Sequence, residues 1–376
     1  MAPSLRHSGK LAKALDDEAN WGAELAQLRR LSGLASDAEH RARSGQYKVA
    51  QYRKNNTISI LIASLKQSNI SWYNGFKAIA PKVGIDPNEI EYWPHVADPS
   101  KVEYLAVWKP PYDICAQLPN VKVIFNLGAG VDHLLLDDSL PPNIPIVRVV
   151  DDNLTRRMGE YVLLQVLYHL REMPKLRVAQ AAHEWPEQYD PDAVDVSVGI
   201  MGLGEIGGHC AALVQQMGFK TLGWSNSVKN ITGVKSYAGL DQLDEFLAET
   251  EILINILPHT DATNKLVDYQ LLQKLKSDGG LQGATYVAAG RGKTHVETDI
   301  VQALKDGCLK SASMDVFEQE PLAADSPLWD LPNVVITPHN AATSDRQTVS
   351  EQILTQIANH RNGLPLQNIV DLTKGY

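Results

Sequence analysis

Three short segments of this 376-residue chain carry side chains that could do chemistry. They are Arg291 in Ala-Ala-Gly-Arg-Gly, Glu320 in Asp315-Val-Phe-Glu-Gln-Glu-Pro-Leu, and His339 in Thr337-Pro-His-Asn-Ala-Ala. A guanidinium can hold carboxylate and carbonyl oxygens bidentately, which a lysine point charge cannot. An imidazole that titrates near neutral pH can deliver or take a proton at a carbinol carbon, and a carboxylate beside such a ring favours its protonated form. Together these are the groups needed to move a proton and a hydride on an oxo acid. Taken singly, an Arg after a strand is most often a surface ion pair, a His before a loop is most often packed, and Glu320 before Pro321 could simply cap a turn. All three, however, follow short apolar runs, at strand ends, where α/β sheets place their ligands.

The elements that must position them follow an alternating pattern. Short β-branched runs at Ile58–Ala63, Val102–Val107 and Val121–Phe125 suit a parallel sheet. The third leads into Leu127-Gly-Ala-Gly-Val-Asp132, whose glycines allow a tight turn with backbone amides pointing outward at an anion. A long apolar helix is predicted over residues 155–172, ending before Pro174. A second sheet opens at Val194–Ile200, with further strands near Thr221–Trp224, Ile252–Ile256, Thr285–Ala289, Ser311–Asp315 and Val334–Ile336. A helix from Ser344 to about His360 has Val349, Ile353 and Ile357 on one face and is expected to return the chain to the first sheet.

Gly202-Leu-Gly204-Glu205-Ile206-Gly207 follows one of these strands and opens a helix. In that context the first glycine makes the turn, the second admits a pyrophosphate, and the third lets helix and strand pack closely. The next strand ends in Ser225-Asn226-Ser227-Val-Lys229, with no acid to accept from a ribose hydroxyl. Hydroxyl, amide and ammonium groups suit a 2′-phosphate instead, so NADPH is favoured over NADH.

Composition bounds the rest. The chain is long enough for two domains, its hydrophobic content is ordinary, and Cys115, Cys210 and Cys308 are scattered without a Cys-x-x-Cys pair. No metal site, disulfide framework or membrane span is expected, and the cytoplasm is the expected compartment. The net charge of −9 is uneven: residues 1–56 carry ten Lys/Arg and six Asp/Glu, while the remainder carries 25 and 38. So acidic a body argues against nucleic acid as a partner and leaves an anionic substrate to local cations, chiefly Arg291. Residues 1–56 read as a helical extension, with Trp21, Leu25, Leu28 and Leu31 at helical spacing. Arg6, Lys10 and Lys13 faintly suggest a mitochondrial leader, but Asp16-Asp17-Glu18 spoils the pattern and a surface or subunit-docking arm is the plainer reading.

From about residue 57 onward the chain resembles the D-isomer-specific 2-hydroxyacid dehydrogenases. It is most similar to their glyoxylate/hydroxypyruvate reductase branch, through Trp108-Lys-Pro-Pro, Leu127-Gly-Ala-Gly-Val-Asp132 and Ser326-Pro-Leu-Trp-Asp, besides the three segments above. The resemblance implies two Rossmann-like doubly wound parallel-sheet domains with a cleft between them. The substrate domain would comprise residues 57–154 and 345–376, and the dinucleotide domain 155–344.

It further implies that Arg291 binds substrate together with Trp108, Ala129, Gly130 and Val131, that His339 is the acid/base, and that Glu320 orients it. Cofactor contacts would come from Gly202, Gly204, Glu205, Ile206, Gly207, Ser225, Asn226, Lys229, Pro258 and Thr263, with Asp315 accepting from the nicotinamide carboxamide. The implied activity is NADPH-dependent reduction of glyoxylate or hydroxypyruvate to the D-2-hydroxy acid, by a homodimer paired through the 155–172 helix and the loop around His183-Glu-Trp185. Two departures stand out: Asn226 replaces an Arg common in that branch, and Ala288 replaces an Asn often found before the catalytic Arg. An NAD-linked dehydrogenase of another D-2-hydroxy acid, or a dinucleotide-sensing interaction protein, are the alternatives.

Overall fold

The computed structural model describes residues 59–372, apart from 65, 129, 132, 135, 136, 138 and 188–190, and gives the backbone alone for 66–68. The N-terminal extension and Ala129 lie outside the described residues.

Two all-parallel sheets organise the chain. The first contains β1 (Ser59–Ser64), β2 (Ile90–Tyr92), β3 (Val102–Trp108), β4 (Val123–Asn126) and β5 (Ile146–Val147) in the order β2-β1-β3-β4-β5. The second contains β6 (Ser197–Met201), β7 (Lys220–Ser225), β8 (Val234–Ala238), β9 (Ile252–Asn255), β10 (Ala284–Ala288), β11 (Leu309–Met314) and β12 (Val334–Ile336). Its order is β12-β11-β10-β9-β6-β7-β8. Both orders run outward in two directions from an early strand, the arrangement that opens a ligand crevice beyond the carboxyl ends of the strands. The strands read as unbroken apolar runs because helices cover both faces: every residue of β1, β6, β9 and β10 is buried. The strands β2, β5 and β8 escaped the sequence reading. Two of them are only two or three residues long, and Val-Lys-Ser-Tyr-Ala of β8, at a sheet edge, has no apolar run.

The helices among the described residues are α1 (Lys66–Ile79), α2 (Asp152–Leu170), α3 (Met173–Ala182), α4 (Glu205–Gln216), α5 (Leu243–Ala248), α6 (Tyr269–Leu272), α7 (Glu297–Lys305) and α8 (Arg346–Arg361). Asp151 starts α2 by accepting from the Asn153 amide at 2.9 Å. Three α2 side chains one turn apart then make a buried polar seam with β11 and the segment after β12. Tyr161 bonds Thr337, Gln165 accepts from Ser313, and His169 meets Ser313 and Ser311 at 2.7 and 2.9 Å. Helix spacing of four residues against strand spacing of two makes this register possible.

Helix α8 carries the chain back to the first sheet. The Arg346 guanidinium donates to Ser71 at 2.9 Å, His360 meets the Tyr104 hydroxyl at 3.0 Å, and Arg361 pairs with Glu89 at 2.8 Å. Among the described residues no helix is long and apolar enough to cross a membrane.

Candidate active site

Read along the sheet, the order β12-β11-β10-β9-β6-β7 places at one edge, one after another, the loops that carry His339, then Asp315 and Glu320, then Arg291, then Pro258 and Thr263, then the Gly202–Gly207 turn, then Ser225. Residues as much as 137 positions apart in the chain therefore share one row of strand ends, with neighbouring strands about 4.8 Å apart.

His339 sits on a loop built around Asp315. The Asp315 side chain is 1% exposed, and a carboxylate so buried must be hydrogen-bonded. Its Oδ1 accepts from the Thr337 hydroxyl at 2.6 Å and from the amides of Asn340 and Ala341 at 3.0 and 3.1 Å, while Oδ2 accepts only the shared Ala341 amide. The His339 amide donates to the Asp315 carbonyl at 2.9 Å, and His339 itself is held at φ 49°, a left-handed conformation that side chains rarely adopt. Asp315 is thus first of all the anchor of the His339 loop. The imidazole turns Nδ1 to both Glu320 oxygens, at 2.9 and 2.8 Å. That leaves Nε2 as the nitrogen available to a substrate, with the two side chains partly exposed.

Arg291 follows β10, half-buried, with Nη1 donating to the Gly290 carbonyl at 2.9 Å. Its loop is pressed against the one after β11: a Cβ at Gly292 would lie 1.8 Å from the Phe317 carbonyl oxygen. In the other sheet, the Trp108 ring closes over the turn after β4, where a Cβ at Gly128 would fall 2.4 Å from Cζ3. Trp108 also meets the His133 ring edge-on at 4.8 Å. Asn126, fully buried at the end of β4, donates from Nδ2 to the carbonyls of Gly128 and Gly130 at 2.7 and 2.8 Å. This draws both carbonyls toward the end of β4. Gly130 is half-buried and Val131 buried.

The dinucleotide motif adopts the geometry its glycines suggested. Gly202 takes φ 102°, the turn that only glycine makes comfortably, and Gly207 packs so closely that a Cβ would lie 1.8 Å from the Gly202 carbonyl oxygen. A Cβ at Gly204 would meet nothing within 4 Å, so the space before the amino end of α4 is open, as a pyrophosphate there requires. Glu205 is exposed and Ile206 half-buried in the first turn of that helix. After β7, the Ser225 hydroxyl is spent on the Ser227 carbonyl at 2.8 Å, which folds the segment so that Asn226 and Lys229 are exposed. Thr263 donates to the Pro258 carbonyl at 2.7 Å and braces the loop after β9. These groups fit a dinucleotide. Among the described residues no cluster of His, Cys, Asp or Glu could hold a metal ion.

Sequence reasoning missed the supporting roles of Asn126, Tyr161 and Thr337. Asn126 left a trace, a polar residue ending an apolar strand just before a glycine turn; the others depend on partners from distant segments.

A Gly-rich strand–turn–helix beside an anchored His–Glu pair defines a dinucleotide-dependent oxidoreductase. The description "D-isomer specific 2-hydroxyacid dehydrogenase, NAD binding domain" matches residues 163–341. Glyoxylate/hydroxypyruvate reductase A of Serratia proteamaculans is 34% identical over 311 residues, covering 81% of this chain and 96% of that protein. Among solved structures, the NADPH-dependent glyoxylate/hydroxypyruvate reductase of Sinorhizobium meliloti, in complex with NADP and sulfate, is 39% identical with a TM-score of 0.79, over 85% of this chain and 99% of that one. A probable 2-hydroxyacid dehydrogenase of Rhizobium etli, in complex with NADP, HEPES and L(+)-tartaric acid, is 42% identical with a TM-score of 0.77 over the same shares. The chain belongs to the D-isomer-specific 2-hydroxyacid dehydrogenase family and is an NAD(P)-dependent enzyme of that kind.

Proposed function

We propose that the protein reduces a small 2-oxo acid, glyoxylate or hydroxypyruvate, to the D-2-hydroxy acid with NADPH. The observation that carries this is the His339–Glu320 pair at 2.8 Å on a loop fixed by buried Asp315. In the reducing direction His339 donates its proton from Nε2 to the carbonyl oxygen, and Glu320 holds the ring by Nδ1 so that Nε2 is the nitrogen presented. Arg291, with the amides after β4, holds the substrate carboxylate and so sets which face of the carbonyl is presented. Trp108 closes the substrate side of that pocket. Bound NADPH supplies the hydride. Gly202, Gly204 and Gly207 shape its pyrophosphate seat with Glu205 and Ile206, Pro258 and Thr263 line the neighbouring loop, and Asn226 and Lys229 receive the 2′-phosphate. Asp315 Oδ2, less engaged than Oδ1, is the acceptor for the carboxamide.

In this reading residues 57–154 and 345–376 form the substrate domain and 155–344 the dinucleotide domain. Relatives of known activity and the NADP-bound structures support the substrate class and the cofactor. The same reading makes the enzyme a cytoplasmic homodimer, paired through α2 and the segment ending at Trp185, where Leu164 and Trp185 are 59% and 94% exposed. A monomeric mass by light scattering at micromolar concentration would refute the dimer.

Initial rates with glyoxylate, hydroxypyruvate and pyruvate, each with NADPH and NADH, test the function. The expected result is turnover of the first two with NADPH ahead of NADH. Tight dinucleotide binding without turnover would instead mark a sensor, and faster turnover with NADH would overturn the cofactor assignment.

A further inference from the structure

We propose that Asn255 and Thr294 are positioning residues for substrate binding: a buried amide–hydroxyl pair fixes the backbone that presents Arg291 and locks it to the loop that follows β9. The proposal rests on the reading of Arg291 as the cation that holds the substrate carboxylate.

The starting point is Asn255, a polar residue that ends the buried strand β9. Its partner in the register of β9 and β10 is Ala288, three residues before Arg291. Asn255 is 1% exposed, and Tyr286, Thr294 and His295 are fully buried around it. The Asn255 Nδ2 donates to the Thr294 hydroxyl at 2.9 Å and to the Tyr286 hydroxyl at 2.9 Å. Its Oδ1 accepts from the Leu257 amide at 3.1 Å. The Thr294 hydroxyl donates onward to the Arg291 carbonyl at 2.6 Å, and the Thr294 amide donates to the same oxygen at 3.1 Å.

These directions are forced. A hydroxyl has one hydrogen, and Thr294 spends it on Arg291, so it must accept from Asn255. The amide of Leu257 needs an acceptor, which fixes Asn255 against a flip. Tyr286 also meets Nδ1 of His295 at 3.2 Å, and burial pulls His295 down to about 4, so the cluster stays uncharged at neutral pH.

The consequence is mechanical coupling. One amide holds the Arg291 carbonyl through the Thr294 hydroxyl on one side and the start of the Pro258–Thr263 loop on the other. The far end of that loop closes onto the same segment, with Lys265 donating to the Lys293 carbonyl at 2.8 Å and Val267 to the Thr294 carbonyl at 3.0 Å. The backbone presenting Arg291 and the loop on the dinucleotide side therefore shift together or not at all. His339 hangs from a different strand end and is held by Asp315. Loss of the latch should thus weaken binding of oxo acid and NADPH together and change turnover at saturation much less.

The test is steady-state kinetics on three variants of the full-length enzyme with glyoxylate, hydroxypyruvate and NADPH. Thr294→Val keeps the shape and removes the hydroxyl; it should raise KM for the oxo acid about tenfold, with a smaller rise for NADPH. Thr294→Ser restores the hydroxyl and should return KM to near wild type. Tyr286→Phe breaks the other Nδ2 bond without touching the Arg291 carbonyl; it should lower the melting temperature and leave KM in place. Should Thr294→Val not fold, Asn255→Asp serves, since it keeps the acceptor for Leu257 but removes both donated hydrogens; the same KM rise is expected.

Wild-type KM in Thr294→Val, or in Asn255→Asp where that stands in, would overturn the proposal. So would a failure of Thr294→Ser to restore it, or an equal KM rise in Tyr286→Phe, which would mean general loosening of the core. Arg291→Lys separates the two levels. If it too is wild type, the reading of Arg291 is what fails; if it is impaired while Thr294→Val is not, only the latch fails.

Discussion

Gly204 and Gly207 stand three residues apart in one turn, yet a Cβ at Gly204 would touch nothing within 4 Å while one at Gly207 would lie 1.8 Å from the Gly202 carbonyl oxygen. Substitutions at the two positions should therefore fail in opposite ways. In Gly207→Ala the methyl needs the turn to retreat by about 1.5 Å to reach ordinary contact, and the obstacle is backbone rather than a flexible side chain. Overpacking of this kind costs roughly 1–3 kcal/mol, and a backbone clash belongs at or above the upper end. At about 2–4 °C per kcal/mol, the variant should melt about 6–12 °C below wild type, or fail to fold.

In Gly204→Val the fold loses only a tolerable helix cap, about 1 kcal/mol, and melting should fall by no more than a few degrees. Its branched side chain fills the open space before α4, however, and NADPH should no longer bind. Scanning fluorimetry with and without NADPH reads both effects. At a hundredfold excess over Kd the cofactor should stabilise wild type by about 2.7 kcal/mol, and that increment should vanish in Gly204→Val. A Gly204→Val protein that keeps the increment and a wild-type Kd by fluorescence titration would refute the assignment of this turn to the pyrophosphate.

Three further outcomes are expected. Arg291→Lys exchanges a forked contact for a point charge and should lower kcat/KM about tenfold or more; wild-type efficiency would remove Arg291 from substrate binding. Glu320→Gln keeps the hydrogen-bonding shape but not the negative charge facing Nδ1, so kcat should fall while KM for the oxo acid changes much less, and a wild-type kcat would exclude Glu320 from the mechanism. Burial pulls both His169 and His295 down to about 4, so the unfolded chain binds more protons than the folded one between there and 6.5. Stability is full above about pH 6.5 and should fall as the pH drops toward 4, by on the order of 3 kcal/mol for each histidine. A urea midpoint that stays constant from pH 7 to 5 would show that these rings are not buried neutral.

The sequence by itself determined what depends on a few adjacent residues. The Gly-x-Gly-x-x-Gly turn, the apolar parallel strands and the chemical types of Arg291, Glu320 and His339 are all local, because strand burial and turn sterics act over one short window. The resemblance to the family rests on the same contiguous segments. What only the tertiary structure decided is how distant segments hold those groups. Asp315 was legible as a carboxylate but not as the anchor of residues 337–341, since its donors depend on β11 lying beside β12. The link from Asn255 through Thr294 to the Arg291 carbonyl could not be read either, because Asn255 and Thr294 meet only once β9 and β10 are paired. Neither could the α2 seam from Tyr161 to His169, which pairs a four-residue helical repeat with partners on and after the strands 142 to 176 positions away. Side-chain hydrogen bonds of that reach leave no periodic mark in a sequence, because each partner is polar for a reason that exists only once the sheet has been assembled.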